Sequence, residues 1–127
     1  FCLSPFFDLS CAAAATCTNT RSDYLNLNVL RRSAALYLNG AEPCHPLASP
    51  LYADLHGLPP LLIQAGSTEL LFDDARQLAE RAQAARVDVQ FDVADNMIHV
   101  FQFLYQLLPE AAAAVRTIGQ FVRERTA

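Results

Sequence analysis

Apolar positions along the chain change period several times, and each change marks a predicted element. Residues 1–4 read as the tail of a buried strand that Pro5 ends. The stretch LSCAAAATCTNTRS is small and polar, which predicts a loop with at most one helical turn. From Asp23 to Leu38, the residues Tyr24, Leu27, Leu30, Ala34 and Leu38 recur at helical spacing, and Asn39-Gly40 closes the run. Five prolines then fall between Ala41 and Pro60, predicting an irregular connection in which no helix can propagate.

The second half is more regular. LLIQAG, between Pro60 and Ser67, is a short continuous apolar run, the pattern of a parallel strand buried on both faces. After the loop STELLFDD, DARQLAERAQAAR places Ala75, Leu78, Ala79, Ala82 and Ala85 on one helical face with charges opposite. Asp74 is the expected cap of that helix, with Gln77 completing a capping box. Val87, Val89, Phe91 and Val93 alternate with Asp88, Gln90 and Asp92 as a half-buried strand. A loop containing His99 leads to a last helix from Pro109 to Arg125. Strand, loop, helix, strand, loop, helix is the signature of right-handed βα crossovers and a parallel sheet, so the fold class is α/β.

Composition narrows the function. The 127 residues suffice for one small domain. The apolar share of 53% is high for a soluble domain of this size and suggests part of a larger core. Charge or proline interrupts every apolar run well short of the roughly 20 residues a membrane helix needs. The net charge of −4, without a basic cluster, argues against nucleic acid as a partner. Cys2, Cys11, Cys17 and Cys44 form no CxxC pair and no metal-ligand spacing. They read as unpaired thiols of a reducing compartment, so a cytoplasmic location is expected. The chain opens at Phe1 inside an apparent strand, so its true N-terminus, and any signal peptide, is expected upstream.

In open α/β sheets, chemistry sits beyond the carboxyl ends of the strands. Glu69 falls four residues past Ala65, and His99 six past Val93. Adjacent parallel strands bring such ends within roughly 5–10 Å, so one crossover delivers a carboxylate and an imidazole to one edge. That pair can orient a catalytic imidazole and stabilise its protonated form. Taken singly, each residue is more often solvated or merely packed. Asp73 and Asp74 are rival acids, but both sit where a helix starts and carboxylates cap free N–H groups. His45 and His56 lie in the proline-rich connection and read as structural or surface residues.

LSPFFDLS, PLASPLYADLHGLPPLLIQAGSTELLFDDARQLAERAQAA and DNMIHVFQ, in this order and spacing, resemble the C-terminal part of the hormone-sensitive-lipase-like family of α/β-hydrolases, the bacterial family IV esterases. The resemblance spans nearly the whole chain, so residues 1–127 are expected to be the C-terminal part of one α/β-hydrolase domain. It implies that ELLFDD carries the triad acid at Glu69, with Asp73 as a following structural aspartate, and that His99 in HVF is the triad histidine. Thr68 stands where relatives often carry another acid. The family's GxSxG nucleophile and HGGG-type oxyanion loop do not occur in this chain and are expected upstream. No cysteine at a strand-to-helix turn replaces the serine.

The resemblance implies a carboxylic-ester hydrolase acting on short to medium acyl esters, with no metal and no organic cofactor, and with this chain inactive alone. The contrasting expectation is an assembly module, with the last strand as a sheet edge and the last helix forming a homodimer. A third is a truncated product without a function of its own.

Overall fold

Three parallel strands in the order β1-β2-β3 form the sheet of the computed structural model, which describes residues 1–17 and 23–126. The strands are β1 (Cys2–Leu3), β2 (Leu61–Gly66) and β3 (Val89–Ala94). The helices are α1 (Ala12–Thr16), α2 (Leu27–Leu38), α3 (Phe72–Ala84) and α4 (Pro109–Thr126), with 3₁₀ turns at Pro50–Tyr52 and Phe101–Leu104. The α/β reading holds, and each predicted strand and long helix has its counterpart. Residues 18–22 of the polar stretch after α1 lie outside the described residues.

β2 is the hub. It pairs with β3 from Leu61↔Val89 to Gly66↔Ala94, and with β1 at Cys2↔Ile63 and Leu3↔Gln64. Every residue from Leu62 to Gly66 is buried, which is why this strand reads as an unbroken apolar run. Ile63 and Ala65 join Ala75, Leu78, Ala79, Ala82, Ala85 and Val87 in one core, so the predicted apolar face of α3 is the face that packs. The one polar residue inside β2 is satisfied: Gln64 donates to the Ala114 carbonyl of α4 (3.1 Å) and accepts from Gln102 (3.1 Å). β3 alternates less cleanly than predicted. Val89 and Phe91 pack against the α3 core, but Val93 lies beyond it and is 47% exposed.

Two helix starts differ from expectation. α2 begins at Leu27, not near Asp23, because Asn26 is its cap and accepts the Val29 N–H (3.0 Å). Its C-terminal end is as read, with Asn39 and Gly40 both at positive φ. Asp74 does not cap α3 and forms no capping box with Gln77. The cap position is Leu71, without a side-chain bond, and Asp74 lies inside the helix with its carboxylate turned into the protein. There Asp74 Oδ2 accepts the backbone N–H groups of Phe7 and Asp8, each at 3.0 Å. A contact across more than sixty residues outcompetes the local cap because it pairs two backbone N–H groups of the turn after β1 on one oxygen. No helix among the described residues is long and apolar enough to cross a membrane.

Burial pushes Asp74 up to about 6, from an ordinary value of 3.8. A raised folded value means that the folded chain holds this proton more tightly, so the contribution to stability is full near pH 4 and lost as pH rises through about 6. Asp74→Ala leaves two donors unpaired and is expected to destabilise by about 1–3 kcal/mol per donor in urea unfolding at pH 7. Asp74→Asn keeps an acceptor oxygen without the buried charge and is expected to lose much less. As pH falls from 6 to 4.5, the parent should gain on the Asn variant.

Candidate active site

The turn after β2 lifts Glu69 over the carboxyl edge of the sheet. Its N–H donates to the Gly66 carbonyl (3.3 Å), and its side chain is fully buried. Glu69 Oε2 accepts from the Ser4 hydroxyl (2.6 Å) and from the Gly66 N–H (3.3 Å). His99 Nδ1 lies 4.0 Å from the same oxygen, and its side chain is 17% exposed. Among the described residues, Glu69 Oε1 and His99 Nδ1 are both buried without a hydrogen-bond partner. A hydrogen bond between imidazole and carboxylate needs about 3 Å, so closure requires a shift of about 1 Å.

Burial raises Glu69 to about 7, against the pull of the Ser4 and Gly66 hydrogen bonds, and the negative charge of Asp23 adds to the rise. Burial lowers His99, while Asp23 acts in the opposite direction. Desolvation therefore carries the acid past the lowered base in proton affinity, so the resting pair keeps its last proton on Glu69 and sheds it near 7.

The loops bearing the two residues are sewn together. Thr68 donates through its hydroxyl (2.8 Å) and its N–H (3.2 Å) to the Met97 carbonyl. Ser67 donates its N–H to the Ala94 carbonyl (2.9 Å) and accepts the Asn96 N–H through its hydroxyl (2.9 Å). The histidine loop crosses so close above Gly66 that a Cβ there would collide with the Met97 carbonyl and lie 3.0 Å from that of Ile98. Ser4 completes the edge. Its hydroxyl hydrogen goes to Glu69, and its oxygen accepts the Val100 N–H (3.0 Å). Ser4 (φ 44°) and Val100 (φ 50°) both occupy the left-handed region, which is unusual for a β-branched valine. Such positions store about 1–3 kcal/mol each and persist only where their surroundings over-determine them.

Glu69 and His99 are thus brought to one edge, as the strand order requires. Asp73 is not: it pairs with Arg76 (3.0 Å) on the half-exposed outer face of α3. The internal structural aspartate of this helix is Asp74. His56 is exposed beside Asp54 (2.6 Å), and exposed His45 accepts the Leu47 N–H at Nδ1 (3.2 Å). Cys11 does open α1, but it is buried and its thiol is pushed up, chiefly by burial, so it is no activated nucleophile. All four cysteines are free. Sequence reading missed Ser4, Thr68 and Asp23 as parts of this edge. The only local signals were a serine at the end of the first strand and a hydroxyl beside the acid.

A buried carboxylate and an imidazole on successive loops beyond a parallel sheet are the hallmark of hydrolase sites built on this architecture. Residues 1–103 match the model of the alpha/beta hydrolase fold family, to which this chain belongs. Within it, the chain is similar to the bacterial hormone-sensitive-lipase esterases. One crystal structure of an esterase from that family superposes with a TM-score of 0.95 at 48% identity, over 99% of this chain and 43% of the other. A hormone-sensitive-lipase homologue from a metagenome library gives 0.92 at 37% identity, over 98% and 43%. Among curated proteins, an acetyl-hydrolase of Streptomyces hygroscopicus is 46% identical over 98% of this chain and 42% of its own length. An esterase of Acinetobacter venetianus is 36% identical, over 94% and 40%. The chain thus spans about two fifths of the length of these relatives.

Gly66→Ala is expected to push the histidine loop off the edge of β2, at a cost of about 1–3 kcal/mol from overpacking against backbone that cannot yield. Urea unfolding reads the stability loss. A shift in the His99 imidazole NMR signals, absent in the remote control Gly57→Ala, reads the displacement.

Proposed function

We propose that this chain is the C-terminal portion of a carboxylic-ester hydrolase and supplies the acid, Glu69, and the base, His99, of a Ser-His-Glu triad. The observation that carries the reading is the fully buried Glu69 carboxylate 4.0 Å from His99 Nδ1, with both groups short of partners. The serine and the oxyanion donors come from outside these 127 residues. His99 takes the serine proton as the hydroxyl attacks the ester carbonyl and returns it to the leaving alcohol. Glu69 holds the imidazole in the tautomer with its proton on Nδ1, and stabilises the imidazolium that forms. Short to medium acyl esters are the substrate class, in keeping with the acetyl-hydrolase and esterase relatives. None of these steps needs a metal or an organic cofactor. The four free thiols favour the cytoplasm as its compartment.

Isolated, the chain should hydrolyse p-nitrophenyl acetate no faster than background. Turnover by the pure chain that His99→Ala abolishes would overturn the reading. With the serine-bearing portion present, Glu69→Ala and His99→Ala should each lower kcat by several orders of magnitude, since triad members act as a unit. Because burial raises Glu69 to about 7 and lowers His99, and the pair must lose its last proton before a neutral imidazole faces a carboxylate, kcat/KM should rise with pH through about 7 to a plateau.

A second reading, self-association through β3 and α4, is favoured by one observation. β3 borders the described sheet, and Phe103 and Leu107, between it and α4, are 82% and 78% exposed. Dilute light scattering on the serine-containing protein separates the two readings: a monomer with full activity leaves only the enzymatic one.

A further inference from the structure

We infer that Asp23 is a positioning residue that fixes Glu69 and His99 relative to one another by holding the backbones of both their loops on one carboxylate. The inference rests on the triad reading of those two residues. Asp23 Oδ2 accepts the N–H of Leu70, the residue next to Glu69 (2.9 Å), and Oδ1 accepts the N–H of His99 itself (3.3 Å). The two donors lie 47 and 76 residues from Asp23 in sequence. The anion therefore enters from a third segment and spans two loops otherwise joined by Ser67, Thr68 and Ser4.

The obvious local use of Asp23 is already taken. Three residues on, Asn26 caps α2, so helix termination does not require the Asp23 carboxylate. The neighbouring Tyr24 meets the His99 ring edge-on, with centroids 5.8 Å apart and planes at 62°. His99 is thereby held at its backbone by Asp23 and at its ring by Tyr24. At Asp23 the two donors fall on different oxygens of one planar carboxylate. An amide in the same place would present its NH₂ to one of the two N–H donors.

Position matters here because the imidazole and carboxylate stand about 1 Å from hydrogen-bonding distance, and misplacement on that scale costs about 100-fold in rate. Among the described residues, the charged groups acting on the pair are few. Asp23 raises the proton affinity of both Glu69 and His99, Tyr24 is the phenol beside them, and no cation of the described residues is among the causes of either shift. Loss of the Asp23 charge lets both protons leave more easily.

The test uses the serine-containing protein with p-nitrophenyl acetate, rates being expressed per active site titrated with a fluorophosphonate. Asp23→Asn is expected to lower kcat about 10- to 100-fold with KM changed less than about threefold. The acidic limb of kcat/KM should move to lower pH by on the order of half a pH unit. Asp23→Glu keeps the charge and should leave the limb in place while restoring part of kcat. A merely structural aspartate would reduce the amount of active protein and leave both per-site kcat and the limb unchanged, and that result overturns the inference. If Asp23→Asn does not fold, Asp23→Ser, also uncharged, is read by the same two criteria. Glu69→Ala and His99→Ala run alongside. Parent-like rates in both would overturn the triad reading and this inference with it. Losses in both, beside unchanged Asp23→Asn kinetics, would overturn this inference alone.

Discussion

A carboxylate stripped of water organises the carboxyl edge of this sheet. Glu69 has no exposed surface, and a buried anion is tolerable only where donors or a positive partner meet it. Two donors come from neighbouring strands: the Ser4 hydroxyl at the end of β1 and the Gly66 N–H at the end of β2. They only partly offset desolvation, which leaves Glu69 near 7 with one oxygen unpaired. The remaining demand faces an imidazole that is itself short of a partner. The site is an incompletely satisfied network, and such networks are where function concentrates.

Asp74 provides the contrast. It is almost as buried and is also pushed upward, but one of its oxygens takes two backbone N–H groups, and among the described residues no base is a cause of its shift. It ties the turn after β1 to α3 and serves the fold. The two carboxylates begin five residues apart and differ in what waits across the sheet edge. Ser4 and Val100, both with positive φ, are joined by the hydrogen bond that pins the histidine loop, and Gly66 permits that loop to lie directly on the strand. Two left-handed residues and a close backbone approach thus coincide at the edge where Glu69 meets His99.

Much of this was legible in the order of residues. The unbroken LLIQAG run, the alanine-leucine face of α3 and the alternation after it specify a buried strand, a packed crossover helix and a second parallel strand. Each depends on periodicity and burial, which sequence carries directly. That logic also put Glu69 and His99 at one edge, since residues just past adjacent parallel strands cannot be far apart. Predictions failed where a side chain had a choice of partners. Asp74 had a helix terminus at hand and took two distant N–H groups. Asp23 was read as opening a helix that Asn26 caps instead. Ser4 passed for the end of a strand.

By itself, the sequence determined the α/β class, the element order and the two residues that face each other beyond the strands, because hydrophobic period and chain connectivity are local properties. Only the tertiary structure decided which polar groups pair across the edge, that Ser4 bonds both Glu69 and the histidine loop, and that Asp23 grips two loops at once. Polar pairing depends on which donors folding leaves unmet, and that is settled only when segments from remote parts of the chain come together.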